Sequence, residues 1–413
     1  MAGGVQPLTR LDSSSHVVVV GAGLAGWRLV ESLRRDGYRG AVTVIGDERH
    51  LPYDRPPLSK QVLSGAMASD DTTLVRSGSP SDVNWRIGVS AVRLDVEQRA
   101  VDLADGNGVS GTHIAIATGT RARRLSTSAG SRVHALRTID DVVRLNDDLA
   151  RVPAGATIAI IGGGFIGAEV ATSLTKRGFQ VVVLEVASRP LLGVLGADVS
   201  SWLVDVPQAA GVELRTNQRI SDVVVESDVL RVRIEGSPDV VAPVVIAGVG
   251  AIPNVEWLND SGLTIENGVV VDAAMQAAPG VAAIGDVARF AWSAPTGRAL
   301  ARMEHWQVAN DHATKLAQAW LSGECDETPF IPYFWSDQYG KKIQLLGHPD
   351  ASDEVTLVSG SVESRRWLAI YHHDDIVSGV VALSSPRALM LAKVLLDTPT
   401  TVDQAIAHSP WTS

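Results

Sequence analysis

His16-Val17-Val18-Val19-Val20-Gly21-Ala22-Gly23-Leu24-Ala25-Gly26 is followed, with Gly162 standing 141 residues after Gly21, by Thr157-Ile158-Ala159-Ile160-Ile161-Gly162-Gly163-Gly164-Phe165-Ile166-Gly167. Each stretch is an apolar run of strand length that ends in a GxGxxG loop and passes into apolar residues at helical spacing. Those residues are Ala25, Leu29 and Leu33 in the first, and Ile166, Val170 and Leu174 in the second. Val181-Val182-Val183-Leu184 reads as the strand that returns after the second helix. Both stretches are therefore βαβ units. Their glycines allow a tight turn, admit a pyrophosphate close to the backbone and bring helix against strand, while N–H groups at the helix start hold the phosphates.

Carboxylates complete the pattern. Asp47 and Glu48 close the strand Val42-Thr43-Val44-Ile45, and Glu185 closes the strand that ends at Leu184. Each lies about 20 residues beyond its glycines, where an acid accepts hydrogen bonds from ribose hydroxyls. A solvated acid at a strand end is the plainer reading of either one alone. Two complete patterns together point to two dinucleotides.

A chain of 413 residues exceeds one ordinary core and suggests two to four domains. Ile114-Ala115-Ile116-Ala117-Thr118-Gly119 and Val244-Val245-Ile246-Ala247-Gly248-Val249-Gly250 bracket the second βαβ unit, and both read as strands ending in glycine turns. They mark two crossings between a discontinuous first domain and a second domain inserted in it. This predicts domains over 12–120 with 250–327, 121–249, and 328–413. Val281-Ala282-Ala283-Ile284-Gly285-Asp286 reads as a further strand, with Asp286 placed to cap a helical segment running through Trp320. Beyond 328 come candidate strands over 342–346, 355–358, 367–371 and 377–383 and a helix over 386–396, the texture of a small α+β domain.

A net charge of −10 argues against a nucleic-acid binder, because phosphate contacts need a basic surface. The basic pairs Arg34-Arg35, Arg123-Arg124, Lys341-Lys342 and Arg365-Arg366 read as solvated surface or as pieces of a local dock for an acidic partner. No apolar run is long enough for a membrane span, and the first 15 residues lack the features of a secretory signal, which places the chain in the cytoplasm. Cys325 is the single cysteine, so neither a redox disulfide within the chain nor a cysteine metal site can form, and Cys325 itself reads as a bystander. The ten histidines show no metal-site spacing, and His372-His373 reads as surface loop.

Further motifs extend across nearly the whole chain: Pro52-Tyr53-Asp54-Arg55-Pro56-Pro57-Leu58-Ser59-Lys60, Ala117-Thr118-Gly119, Gly285-Asp286-Val287-Ala288, Glu304-His305-Trp306 and Phe334-Trp335-Ser336-Asp337-Gln338-Tyr339. With the two fingerprints they resemble the FAD-dependent NADH:ferredoxin reductases of bacterial oxygenase and cytochrome monooxygenase systems, a branch of the glutathione-reductase-like flavoproteins. The resemblance implies an α/β fold with two Rossmann-like domains, one for FAD and one for NAD, the second inserted in the first, plus the C-terminal α+β domain. It assigns FAD to Gly21, Gly23, Ala25 and Gly26, with Asp47 on the adenosine ribose. Arg55, Lys60, Val89, Ala117, Thr118, Gly119, Arg137, Gly285, Asp286, Trp306 and Trp335 would contribute to the same cofactor. NAD would take Gly162, Gly164, Phe165, Ile166, Gly167, Glu169, Glu185 and Gly250.

Glu185 stands where an arginine would favour a 2′-phosphate, so the likeness favours NADH; Arg189, four residues on, works against that preference. Lys60 and Glu169 resemble a salt-bridged couple beside the flavin, although spacing alone would place Glu169 as an acid favouring the helix dipole. The resemblance implies hydride transfer from NADH to FAD and single-electron exit to an iron–sulfur ferredoxin, with no metal site in the chain itself. A rubredoxin, a quinone or oxygen could serve as acceptor on the same scaffold. An NADH-responsive binding flavoprotein is the rival from another class, and monomer and homodimer both remain open. Departures from the family pattern are Thr112-His113, Trp27 and Pro207, which bear on local packing.

Overall fold

The computed structural model describes residues 8–290, 300–326 and 331–412. The expected boundary at 327 and 328 lies outside the described residues. The chain divides into two compact units, one of Met1–Asp54, Thr73–Arg121 and Ile252–Tyr333, the other of Arg55–Thr72, Ala122–Ala251 and Phe334–Ser413. The segment Arg55–Thr72, expected within the first domain, thus groups with the second glycine fingerprint.

In the first unit, β1 (His16–Val20), α1 (Leu24–Arg35) and β2 (Ala41–Gly46) form the first βαβ element. β1 lies in a six-stranded sheet ordered Gln276–Ala278, Val281–Ala283, His113–Ile116, β1, β2, Asn84–Ile87. Pairing is parallel except at the outer Gln276–Ala278 strand. The unbroken apolar run in β1 follows from burial on both faces, the usual setting of a parallel strand. Ala25, Leu29 and Leu33 all face the core as their spacing predicts. Trp27 is buried in the same core, its ring centroid 5.6 Å from that of Trp85, so it packs its own unit instead of presenting a surface. His113 is likewise internal, its Nε2 2.7 Å from the Thr9 carbonyl oxygen.

In the second unit, β3 (Thr157–Ile161), α2 (Phe165–Lys176) and β4 (Gln180–Leu184) repeat the arrangement. Their sheet runs Val212–Arg215, β4, β3, Val245–Ala247, Val133–His134, and is wholly parallel. Val170 and Leu174 are buried, but Ile166 is 43% exposed, which departs from the predicted stripe. It occupies the first turn of α2, directly after the glycine loop. Pro207 stands at the start of a separate short helix, Val206–Ala209, after Leu192–Trp202 has ended.

The C-terminal part of this unit is a five-stranded antiparallel sheet ordered Tyr333–Gln338, Lys341–Gly347, Ile376–Leu383, Arg366–His373, Glu354–Ser361. His372-His373 ends one of these strands and is not a loop; His372 Nε2 lies 3.1 Å from Thr356 Oγ1. The sheet shares a core with the helix Leu192–Trp202, through Leu195, Val199, Trp367 and Val381. Tyr371 donates its hydroxyl to the Leu195 carbonyl at 2.8 Å, and burial pushes that hydroxyl's pKa up, so it stays a donor. No helix among the described residues is long and apolar enough to cross a membrane.

Candidate functional site: two dinucleotide turns and a buried ion pair

The first turn is sterically specified. Gly21 has φ +124°, and a Cβ there would run into the Ala117 carbonyl oxygen; one at Gly26 would strike the Gly21 carbonyl oxygen. Gly21 and Ala117 are placed by N–H bonds to Ile45 O at 2.8 Å and Val20 O at 2.7 Å. Gly285 closes over the same loop, since a Cβ on it would lie 2.8 Å from that of Ala25. Its N–H donates to His312 Nδ1 at 3.2 Å, and the burial of that imidazole pushes its pKa down to about 3. Three motifs far apart in sequence are thereby packed around one helix N-terminus.

Thr118 and Gly119 are secured by Asn254, which exchanges bonds with Thr118 at 2.8 Å through both its carbonyl and its side chain. Val89 is tied to the end of β2 by its N–H bond to Gly46 O at 3.0 Å. Of the two acids closing β2, Glu48 accepts the Tyr53 hydroxyl at 2.5 Å, whereas Asp47 is exposed and accepts the Glu48 N–H at 3.0 Å. Trp306 opens α3 (Trp306–Ser322) and donates its indole N–H to Asp54 at 2.7 Å.

Asp286 does not cap that helix. It sits in a single turn, Gly285–Val287, that leads into the strand Ala288–Phe290, and the residue before α3 is His305. The positive φ of Gly285 turns the chain away from a helical course. Asp286 instead accepts the Thr120 hydroxyl at 3.4 Å, while its carbonyl accepts Arg302 at 3.2 Å.

The second turn follows the same rules. Gly162 has φ +105° with its Cβ direction blocked by the Gly248 carbonyl oxygen, and a Cβ on Gly167 would strike the Gly162 carbonyl oxygen. Glu185 folds back onto this loop, accepting Gly163 N–H at 2.6 Å and Ala187 N–H at 2.7 Å. Arg189 points elsewhere, to the Ala197 carbonyl at 3.2 Å. Phe165 packs against Phe334 with centroids 4.4 Å apart, and Gly250 accepts the Arg123 N–H at 2.9 Å. Gly23 and Gly164 precede α1 and α2 without any side-chain cap, which leaves the first-turn N–H groups turned outward. The helix Ile139–Leu149, by contrast, spends its own Thr138 and Asp141 on a capping box.

Lys60 and Glu169 form an ion pair at 2.8 Å, with side chains only 15% and 5% exposed. Lys60 stands in a wide helical turn, Leu58–Val62, whose Val62 and Leu63 N–H groups reach back five residues to Pro57 O and Leu58 O. Its ammonium also donates to Pro56 O at 3.3 Å. Glu169 receives two hydroxyls besides: Ser59 on Oε2 at 2.6 Å and Ser336 on Oε1 at 2.7 Å. The carboxylate is thus satisfied from three directions, as a buried charge must be. Ser173 donates to Ser59 O at 2.7 Å, and the Tyr339 N–H donates to Thr172 at 2.6 Å, lacing the same three segments together.

Sequence reasoning passed over Ser59, Ser336, Thr172 and Ser173. The signal available was that Ser59 adjoins Lys60 and Ser336 adjoins Trp335 inside motifs already recognised. Arg55 donates to Arg137 O at 3.3 Å, and Arg137 sits just before the capped helix, its N–H on Asp141 at 3.1 Å. Arg55, Lys60, Arg137 and Trp335, expected with the first cofactor, all belong to the unit that carries the second turn.

Two parallel-sheet units, each with an uncapped helix behind a glycine turn, define a two-dinucleotide oxidoreductase. A family described as pyridine nucleotide-disulphide oxidoreductase matches residues 15–313, and a reductase C-terminal family matches 333–413. The ferredoxin–NAD(+) reductase component of the p-cumate 2,3-dioxygenase system of Pseudomonas putida is 33% identical over 398 residues, covering 95% of this chain and 96% of that protein. Rhodocoxin reductase of Rhodococcus erythropolis is 33% identical, over 94% of this chain and 91% of that one. The solved covalent putidaredoxin reductase–putidaredoxin complex matches with TM-score 0.88 at 30% identity, covering 95% of each chain. The chain belongs to the pyridine nucleotide-disulphide oxidoreductase family, in its ferredoxin reductase branch.

FAD and NADH are the dinucleotides this family implies, and both turns fit them. A Cβ on Gly23 or Gly164 would meet no protein atom within 4 Å, so open space lies before each helix start, where a pyrophosphate fits; the helix starts are uncapped, and an acid closes each following strand.

Proposed function

We propose that the chain is a flavoprotein reductase that takes hydride from NADH and passes electrons singly to an iron–sulfur ferredoxin serving an oxygenase or cytochrome monooxygenase. FAD, when bound, supplies the conversion between a two-electron donor and a one-electron acceptor. The proposed FAD-binding domain comprises 12–120 and 250–327, although Arg55–Thr72 within it groups with the second unit; the NAD-binding domain is 121–249 and the third domain 328–413. Gly21, Gly23, Ala25 and Gly26 hold the FAD pyrophosphate, and Asp47 offers its exposed carboxylate to the ribose. Gly162, Gly164 and Gly167 do the same for NADH. Glu185 accepts a ribose hydroxyl there and would repel a 2′-phosphate, with Arg189 already committed to Ala197 O.

Lys60 brings a positive charge to the flavin; Glu169 pairs with its ammonium and is itself held by the Ser59 and Ser336 hydroxyls. Trp306 and Trp335 supply large planar surfaces that exclude water.

The observation that carries this reading is the coexistence of two dinucleotide turns with a single cysteine. A chain with one cysteine cannot relay electrons through an internal disulfide, which supports their passage from the flavin to an acceptor docked from outside. A net charge of −10 with no nucleic-acid-binding motif agrees with a small-molecule and protein-acceptor enzyme of the cytoplasm. The test mixes purified protein, NADH, a [2Fe–2S] ferredoxin and cytochrome c. Rapid, ferredoxin-dependent cytochrome reduction is expected. Turnover with quinones alone, or slow turnover with an NADH-dependent change in oligomer size, would instead favour a quinone reductase or a binding flavoprotein.

A further inference from the structure

One concavity in the first unit is lined by no residue of either glycine loop. It encloses about 790 Å³ and is lined by Arg28, Arg34, Arg35, Arg39 and Arg76, with Trp306 and Asp54 also on its wall. The chain as a whole carries ten more acidic than basic charges, yet this groove gathers five guanidinium groups against the lining carboxylates Glu31, Asp54 and Asp82. Three of the five are neutralised. Arg28 pairs with Glu31 at 2.5 Å, Arg34 with Asp82 at 3.1 Å and Arg35 with Asp36 at 2.8 Å.

The other two are not. Arg39 donates to the Arg34 and Tyr38 carbonyls at 2.7 and 3.0 Å, and Arg76 reaches the Thr73 carbonyl at 3.4 Å. Both are exposed, and neither has a carboxylate within ion-pairing distance among the described residues. A carbonyl contact orients a guanidinium without cancelling its charge, so two full positive charges face solvent along the groove.

The wall opposite α1 is Ser77-Gly78-Ser79-Pro80-Ser81, a loop of small residues pinned by reciprocal bonds between Arg76 and Ser79 at 3.0 and 2.9 Å. The loop offers a broad approach and holds Arg76 at a set position. Arg28, Arg34 and Arg35 lie on α1 within about 10 Å of rise, Arg39 stands between α1 and β2, and Arg76 lies on a separate loop. Charges carried by a helix, the turn after it and a separate loop suit several carboxylates on a folded surface better than one phosphate. Trp306 gives the groove its direction. It begins α3, whose His312 holds Gly285 against Ala25 in the first dinucleotide turn, so the wall bearing Trp306 is rigidly connected to the loop assigned to FAD.

We propose that this arginine groove is where the acidic face of the one-electron acceptor, an iron–sulfur protein, docks, with Arg39 and Arg76 steering it and Trp306 marking the side nearest the flavin. The assignment rests on the reductase reading above, and the experiment separates the two. Charge reversal at Arg39 and Arg76 together (Arg39→Glu, Arg76→Glu) is assayed with NADH and an acidic [2Fe–2S] ferredoxin that the unmodified chain reduces, and in parallel with menadione, a small uncharged acceptor.

The KM for ferredoxin should rise at least tenfold and the salt dependence of kcat/KM should flatten, because charges at the rim of an interface act on encounter. Menadione turnover and flavin content should stay unchanged, which also shows that the variant is folded. The milder pair Arg39→Gln, Arg76→Gln should fall between. An unaltered ferredoxin KM and salt slope would overturn the dock while leaving the reductase reading intact, whereas failure of the unmodified chain to reduce any ferredoxin would overturn that reading itself. Binding of inorganic tripolyphosphate that the charge reversal abolishes, at unchanged ferredoxin KM, would give the groove to a phosphate-bearing ligand and equally overturn the dock.

Discussion

The two glycine turns are built to one plan and put to different uses, and the difference lies in side chains that stand in register. Seven residues after the first glycine of each loop, α1 carries Arg28 and α2 carries Glu169. Arg28 is a half-exposed member of a surface groove, whereas Glu169 is buried under Lys60, Ser59 and Ser336. The acids that close the following strands diverge as well. Asp47 is exposed, while Glu185 already bonds two N–H groups of its own loop and its neighbour. At the first turn, proposed for the resident cofactor, the acid is an exposed acceptor. At the second, proposed for NADH, a ligand would share or displace the existing Glu185 bonds, which suits one that enters and leaves at every cycle.

The most severe way to break the comparison is to fill each turn. Gly21→Val should leave a colourless protein, and Gly162→Val should leave a yellow one that NADH no longer reduces, each a loss of more than 100-fold, since positive φ and a carbonyl in the Cβ direction both forbid the side chain. Flavin absorbance and anaerobic NADH titration check this; loss of colour in both variants would show that the turns are not separately assigned.

Next in size is the ion pair. Lys60→Met should lower stability by about 2–3 kcal/mol in denaturant titration, below the upper range for a broken buried pair because Ser59 and Ser336 still donate to Glu169. Ser336→Ala should cost about 1–2 kcal/mol and shift the flavin potential, with Ser336→Thr restoring most of both.

Glu185→Ala should raise the KM for NADH about tenfold, near 1.4 kcal/mol, and narrow the preference over NADPH. Asp47→Ala should act on FAD retention and leave the KM for NADH unchanged. A KM change of equal size in both would erase the distinction between the turns.

The smallest effect concerns His312 in the first unit. Its folded pKa is pushed down to about 3, so the unfolded chain binds the proton more readily. Stability from this residue is complete above the ordinary imidazole range and falls with pH from about 6.5 toward 3. Between pH 7 and 6 the expected loss is about 0.7 kcal/mol, and His312→Gln should remove that part of the slope.

Both glycine loops, the strands entering them and the acids leaving them were legible in the sequence, because φ requirements and apolar periodicity are properties of neighbouring residues. The helix expected directly after Asp286 was misread for the same reason: an acid after an apolar run looks like a cap until Gly285 is seen to turn the chain aside. Ile166 fitted a helical stripe by spacing, yet in the first turn of its helix it is exposed. His372-His373 looked like loop because two polar residues end an apolar run, whereas pairing with Thr356 and its neighbours keeps them in the sheet.

By itself, then, the sequence determined that this protein holds two dinucleotides in parallel-sheet units and has no internal disulfide to pass electrons through. Tertiary structure alone decided that Ser336 reaches Glu169 across 167 positions, that Arg55–Thr72 joins the second unit, and that the scattered arginines from Arg28 to Arg76 line one groove. A turn's conformation is settled by the bulk of its own residues. Satisfying a buried charge or concentrating exposed ones depends on which distant segments the closing chain brings together.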